Sequence, residues 1–318
     1  MSKVRALVVT KFGDPPEMRD VDTPSPGEGE AVLRLLAAGL NPVDLAIGSG
    51  RFYMPLPQPP FVAGCEAVAE VVSSSRFAPG THVWTLQQTG TFAETYTCPE
   101  SALVPVPEGV SPSTAVATGI AGLAGWMAVR SRGEVRSGET VLVLGASGAV
   151  GQIAIQAARL SGAGRIVAAM RNPDGSERAR RLGAHAVVAL GGEDDTSALQ
   201  AACLPGATLL IDTLWGAPIV AAIPALAPRA RIIQVGGGAG PIVEFPAGPL
   251  RGGRIDIRGF SVFNERQSDL ALSFQELASA AGRGEVVMPI EEVPLGDGPV
   301  AWARQAAGTG GVKLVLVP

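Results

Sequence analysis

The chain has 318 residues, 47% of them hydrophobic and 17% charged, with a formal net charge of −4. That balance excludes a disordered chain, because apolar surface for a core is ample and self-repulsion is small, and the length points to two domains. The acidic charge and the lack of any Lys/Arg-rich run argue against nucleic acid as a main partner. Three cysteines, Cys65, Cys98 and Cys203, are too few and too scattered for a disulfide framework, so reduced thiols and a cytoplasmic location are expected.

The opening "MSKVRALVVTKFGD" reads as a strand and a turn, with no apolar stretch of signal-peptide type. Short apolar or alternating runs follow, among them "VRALVV", "EAVLRLLAAGL", "EAVAEVV" and "THVWTL". Pro and Gly clusters such as "PSPGEGE" and "PLPQPP" separate them, which predicts a mainly β unit of short strands. Ser111-Pro112 is a helix start, serine capping free N–H groups and proline fitting the first helical position. The uncharged stretch that begins there, Ser111 to Val129, is long enough to span a bilayer. Its richness in Ala, Gly, Ser and Thr instead predicts a buried, closely packed helix, and no membrane partner is expected.

From about Thr118 the rhythm changes. Six apolar runs, Val141–Leu144, Ile166–Ala169, Ala186–Ala189, Leu209–Asp212, Ile232–Val235 and Ile255–Gly259, alternate with helix-like segments. Nearly continuous apolar strands belong to a parallel sheet covered on both faces, and the alternation predicts a Rossmann-type, doubly wound α/β fold. A helix is expected around Asp269–Arg283, and the closing "GVKLVLVP" is an alternating strand that needs a sheet to join. The chain is therefore expected to return to its first domain: residues 1–117 and 262–318 form one unit, residues 118–261 the other.

"VLVLGASGAVGQIAIQAARL", Val141 to Leu160, carries the strongest chemical signal. Strand, glycine turn and helix form the dinucleotide-binding arrangement, in which glycines allow the sharp turn, the approach of backbone to pyrophosphate, and close helix–strand packing. The helix N-terminus offers unpaired N–H groups to phosphate. Gly145, Gly148 and Gly151 are spaced G-x-x-G-x-x-G, and Ser147 replaces the usual middle glycine with a hydroxyl. Ala149 and Val150 complete the cradle.

The end of the second strand selects the cofactor. An acid there binds the ribose 2′-hydroxyl of NAD, and an arginine accommodates the 2′-phosphate of NADP. The sequence places Met170 and Arg171 there, which predicts NADPH; a solvated Arg171 with Asp174 as ribose ligand is the competing reading. A second glycine run, Gln234 to Gly240, ends a later strand, and Gly236 and Gly237 are expected to approach the cofactor through backbone.

Several stretches together resemble the medium-chain dehydrogenase/reductase superfamily, specifically its zinc-independent quinone oxidoreductase branch. They are "AAGLNPVDLAIGSGRFYMPLPQPPFVAGCEAVAEV", "LVPVPEGVSPSTAVATGIAGLAGW", the glycine segment followed by "LGA", and "GGVKLVLVP". The resemblance implies a GroES-like substrate domain beside the Rossmann domain, and a homodimer formed at the strand edge Ile255–Val262. Zinc-dependent relatives place a Cys where this chain has Asn41 and a His where it has Cys65. Only His82 and His185 are available as histidine ligands, so no zinc is expected. Cys65 with Glu66 as a remnant metal pair competes with Cys65 as a small buried residue.

Without a Lewis acid, hydride addition suits an electron-poor acceptor, a quinone or an α,β-unsaturated carbonyl. The oxygen that gains charge then needs a donor. The resemblance implies a position near the substrate cleft for Tyr53 and, in place of a metal ligand, one facing the nicotinamide for Asn41, so these two are the candidate catalytic donors. Phe52 and Phe263 are expected to join them in lining the substrate pocket near Gln87 and Gln88, and Asp44 is a structural partner. "GLAGW" has Ala124-Gly125 where many relatives have Thr-Ala, which removes a hydroxyl. An enoyl-thioester reductase, with the Arg-rich Pro249–Arg258 at the cleft rim, and a non-catalytic NADPH-binding protein are the alternative functions.

Overall fold

The computed structural model describes residues 2–318. The first part of the chain lays down β1 (Lys3–Val9), β2 (Glu17–Asp22), β3 (Glu30–Gly39), helix α1 (Pro42–Gly48), β4 (Phe61–Val62), β5 (Glu66–Ser73), β6 (His82–Leu86), β7 (Thr95–Pro99) and β8 (Val104–Pro105). Helices α2 (Pro112–Ala117) and α3 (Leu123–Met127) follow, then β9 (Thr140–Leu144), α4 (Ala149–Leu160), β10 (Arg165–Met170), α5 (Ser176–Leu182), β11 (Ala186–Ala189), α6 (Asp195–Cys203), β12 (Ala207–Asp212), α7 (Gly216–Ala222), β13 (Leu226–Gln234), α8 (Ala247–Gly253) and β14 (Asp256–Gly259). The end of the chain adds α9 (Gln267–Gly282), β15 (Ile290–Pro294), α10 (Gly298–Ala307) and β16 (Lys313–Val317).

Two compact units result: Met1–Ala121 with Gln267–Pro318, and Gly122–Arg266. The first unit is mostly β. One sheet runs β15-β16-β3-β5-β6-β8, with β7 also paired to β3, and a smaller sheet runs β2-β1-β4. The terminal strand β16 lies antiparallel to β3 through Val315–Gly39 and Leu316–Ala38, so the last residues finish a sheet begun near the start of the chain. Alternation explains the core of this unit: Leu33 and Leu35 on β3, Ala67, Ala69 and Val71 on β5, and Leu314 and Leu316 on β16 point to one buried cluster. Helix α9 closes part of the unit by stacking Phe274 on Trp84, with ring centroids 4.8 Å apart and an interplanar angle of 12°.

The second unit is the doubly wound sheet that the alternation predicts. Its six strands run in the order β11-β10-β9-β12-β13-β14 and every pair is parallel. The order turns back on itself between β9 and β12, the place where such folds bind ligands beyond the carboxyl ends of the strands. Strands β9, β10 and β12 have almost fully buried interiors, as a sheet covered on both faces requires. Strand β13 is longer than its apolar run suggests, because it pairs with β12 again at Leu226, beyond an irregularity that takes in Pro228 and Arg229.

The uncharged stretch after Ser111 begins as expected: the Ser111 hydroxyl accepts the Thr114 N–H and Pro112 occupies the first turn. It is the one segment among the described residues long and apolar enough to cross a membrane, and it is mostly buried within the fold. Its helix is broken at Gly119, whose ψ of −124° is non-helical. Further on, Gly125 of α3 lies against α4. A Cβ there would collide with the Val150 carbonyl oxygen and stand 3.0 Å from both Ala154 N and Ile153 Cβ. The glycine is thus a packing residue, since two helices approach this closely only where one lacks a side chain. Gly125→Ala gains about 1 kcal/mol of helix propensity but overpacks a backbone contact at a cost of about 1–3 kcal/mol. The expected net result is a lower urea midpoint, and a raised midpoint would show that the two helices separate freely.

Candidate active site

In the first unit the chemistry gathers around Glu66, a carboxylate with no exposed surface. Its Oε1 accepts from Asn41 Nδ2 at 2.8 Å and from Lys313 Nζ at 3.2 Å. Its Oε2 accepts from the Ile120 backbone N–H at 2.6 Å and from Trp84 Nε1 at 3.2 Å. A buried carboxylate without donors would be very costly, and four donors supply what water otherwise would. Glycines make the room: a Cβ on Gly39 would fall on Glu66 Oε1, and one on Gly119 would fall on Glu66 Oε2 and 2.5 Å from Trp84 Nε1. The break at Gly119 also turns the Ile120 N–H toward the carboxylate.

Asp44 stands beside this group. Its Oδ2 accepts the Asn41 N–H at 2.7 Å and its Oδ1 accepts the Cys65 N–H at 2.9 Å, so one side chain ties the start of α1 to the start of β5. Burial raises the Asp44 carboxyl to about 6; the N–H donors and the Lys313 charge oppose that rise, and the Glu66 charge adds to it. Cys65 is buried, and its thiol donates to the Gln88 carbonyl at 3.3 Å. Burial and the neighbouring Asp44 push that thiol above its ordinary range, so it keeps its proton. Gln88 reaches in turn to the Pro55 carbonyl, and Gln87 to that of Thr97. The loop that Gln88 anchors carries Phe52 and Tyr53, whose rings lie 4.5 Å apart, and Tyr53 is 62% exposed.

The expected donor role of Asn41 needs a correction. Asn41 is buried, and its Nδ2 protons go to the Gly39 carbonyl at 2.9 Å and to Glu66. Both amide protons are therefore used within the chain, and a donor to substrate is not what this amide offers. Its Oδ1 accepts from Lys313 Nζ at 2.5 Å. Tyr53 is the remaining candidate donor of the pair. Phe263 lies in the other unit, in the short turn Val262–Asn264.

Zinc does not fit these residues. Asn41 and Glu66 already hold an ammonium ion, the Cys65 thiol is turned to the Gln88 carbonyl, His82 begins β6 on an exposed position, and His185 Nδ1 accepts the Ile166 N–H. Among the described residues no group of three or more His, Cys, Asp or Glu side chains could hold a metal ion.

In the second unit, β9 is followed directly by Gly145, whose φ of +78° favours glycine. A Cβ there would strike Thr213 Oγ1 at the end of β12. Gly148 is the N-cap of α4 and provides no side-chain cap, so the first N–H groups of Ala149, Val150 and Gly151 point out of the helix end. Gly151 packs the helix on the turn: a Cβ would lie 2.5 Å from Gly145 O and 2.6 Å from Ala146 Cα. Each glycine thus has its own geometric cause.

The segment after β10 folds back onto this turn. A Cβ on Gly175 would stand 3.0 Å from Met170 Sδ and 3.1 Å from Ser147 Cβ, so Gly175 is held beside Ser147, and Arg171 is exposed. Asp174 is exposed too, and its N–H is held by Asn172 Oδ1. The second glycine run meets the end of β12 through backbone: Gly236 N–H donates to Asp212 O and Gly238 N–H to Thr213 O, and a Cβ on Gly236 would lie 2.9 Å from Thr213 O. Gly237 stands in the same turn. Asp212 Oδ1 caps Leu214 and Trp215, and burial raises this carboxyl.

Known proteins resemble the chain over nearly its whole length. The quinone oxidoreductase of Sus scrofa is 30% identical to the chain, over 98% of this chain and 97% of that protein. The chain belongs to the zinc-independent quinone oxidoreductase branch of the medium-chain dehydrogenase/reductase superfamily. Within this quinone oxidoreductase family member, residues 27–108 match the family described as alcohol dehydrogenase GroES-like domain, and residues 149–279 match zinc-binding dehydrogenase. Prostaglandin reductase-3 of Mus musculus is 26% identical over 86% of this chain and 74% of its own length. The crystal structure of the quinone oxidoreductase from Thermus thermophilus, also solved in complex with NADPH, superposes with a TM-score of 0.84 at 30% identity, covering 99% of this chain and 100% of that one.

Sequence reasoning singled out Asn41, Asp44 and Cys65 but missed Lys313, Trp84 and the Ile120 N–H as partners of Glu66. The signal for Lys313 was present: it is one of only three lysines, against 22 arginines, and it opens an apolar strand. The raised Asp44 carboxyl gives a testable sign. A group whose folded value exceeds its unfolded 3.8 stabilises the fold at low pH and loses that contribution as pH rises through about 6. Asp44→Asn is expected to remove this downward slope, of the order of 3 kcal/mol, from urea-derived stability measured across about pH 4 to 7. An unchanged slope would show that Asp44 ionises at its ordinary value.

Proposed function

We propose that this oxidoreductase is NADPH-dependent and delivers hydride to a quinone or an α,β-unsaturated carbonyl. The observation that carries the reading is the end of β10. No acid stands there, and Arg171 follows directly, in a segment whose Gly175 packs against Ser147 of the glycine turn. Relatives named quinone oxidoreductase, one of them solved with NADPH, support the same reading.

In this proposal the α4 N-terminus and the backbone of Gly145, Ser147 and Gly148 hold the pyrophosphate, and Arg171 pairs with the 2′-phosphate. Gly236 and Gly237 bring backbone close to the cofactor. NADPH supplies the hydride, with its two electrons, and the acceptor takes a proton to complete the reduction. The Tyr53 hydroxyl donates to the oxygen that gains charge, and Phe52 lines the acceptor's pocket. Strand β14, paired in its sheet with β13 alone, is proposed as the edge at which two copies pair.

Arg171→Ala is expected to raise the NADPH KM about tenfold or more while leaving the NADH KM within about twofold, because one charge-assisted contact contributes about 1.5–3 kcal/mol. Equal changes with both cofactors would remove Arg171 from the 2′-phosphate. A panel of quinones, enones and enoyl thioesters assayed with Tyr53→Phe tests the acceptor class. Turnover of quinones or enones that falls about tenfold in the variant supports the proposal, whereas NADPH binding with no turnover of any acceptor would defeat it.

A further inference from the structure

Lys313 is the buried cation of the cluster around Glu66, with only 3% of its surface exposed. An ammonium has three protons and no acceptor, and Lys313 has three partners: Leu40 O at 3.2 Å, Asn41 Oδ1 at 2.5 Å and Glu66 Oε1 at 3.2 Å. Every proton is therefore directed at an oxygen. The consequence falls on Asn41. Turning its amide over would set NH2 against NH3+, and would leave the Gly39 carbonyl and Glu66 facing an oxygen. The orientation is thus dictated by a donor-only neighbour, not by the amide itself.

We propose that Lys313 is a positioning residue, the built-in cation of this site. Its ammonium holds Asn41 and Glu66 in the way a metal ion would hold two ligands, and it fixes the orientation of the Asn41 amide within the cluster. Three observations support it together. The ammonium binds both side chains at once, and Gly39 leaves the space: a Cβ there would stand 3.0 Å from Lys313 Nζ. Glu66 carries the tie onward to the Ile120 N–H, next to the break at Gly119. A plain counter-charge would need only the Lys313–Glu66 pair, whereas the shortest of the three contacts is to Asn41. The link to turnover rests on the proposed function, in which the Tyr53 loop meets the acceptor; that loop is tied through Gln88, Cys65 and Asp44 to Asn41. The orientation of Asn41 does not rest on it.

The test uses the full chain with Lys313→Met, Glu66→Gln and the double variant. Breaking a buried pair on one side leaves an uncompensated charge, whereas neutralising both sides is often tolerated, so the double variant keeps the experiment informative if Lys313→Met fails to fold. The readout is hydrogen exchange at the side-chain amide of Asn41 after selective 15N-asparagine labelling, which gives few signals because the chain has only three asparagines, Asn41, Asn172 and Asn264. Beside it stands kcat at saturating NADPH. The proposal expects the double variant to regain the thermal stability lost in Lys313→Met. It also expects Asn41 exchange to speed up and kcat to fall, each about tenfold or more beyond Glu66→Gln alone. A double variant that keeps both Asn41 protection and kcat would overturn it and leave Lys313 a counter-charge. If the wild type turns over no acceptor, the functional reading falls, and Asn41 exchange still decides the role of Lys313.

Discussion

A carboxylate cut off from water must have its donors brought to it, and the first unit is organised around that demand at Glu66. The four donors come from α1's N-cap residue, from β6, from the segment after α2 and from the last strand. None of these is a neighbour of Glu66 in the chain. To gather them, the backbone must pass close on two sides, which is why Gly39 and Gly119 carry no side chain. The helix break at Gly119 lies next to the Ile120 N–H that reaches the same carboxylate.

The second unit answers a different constraint with the same device. At the carboxyl ends of β9, β12 and β13, glycines let the turns close in: Gly145 gives room to the Thr213 hydroxyl and Gly236 to the Thr213 carbonyl. The space left at the strand ends is lined by main-chain groups and by the start of α4. Main-chain N–H groups are fixed donors that need no rotamer ordering, so this surface suits a phosphate before one arrives. The proposed cradle follows from packing the turns tightly and needs no addition to the fold.

These two constraints differ in how visible they are in the sequence. The parallel sheet was legible because each buried strand writes a short apolar run, and the strand positions follow from those runs within a residue or two, except on β13, where pairing outlasts the apolar pattern. Glycines in the loop were legible because their spacing is local. The Glu66 cluster was not, because its members lie far apart in the chain, 272 positions from Asn41 to Lys313. Residue type alone misled at Asn41: an amide reads as a donor, but whether its protons are free depends on neighbours that no local pattern reveals. Gly125 was legible only as a departure; its reason, the α3–α4 contact, lies in packing.

The buried pair also says something about what the cluster is for. Taking each ion out of water costs several kcal/mol, and apolar replacements of such pairs are often no less stable. Stability is therefore a poor account of why an ammonium and a carboxylate sit at the centre of this unit. Hydrogen bonds to charged groups are short and directional, and here they determine the orientation of one amide, one indole and one backbone N–H at once. An apolar core of equal volume would hold the strands together as well, but it would leave the Asn41 amide free to turn. What the charges contribute is a single arrangement of polar atoms.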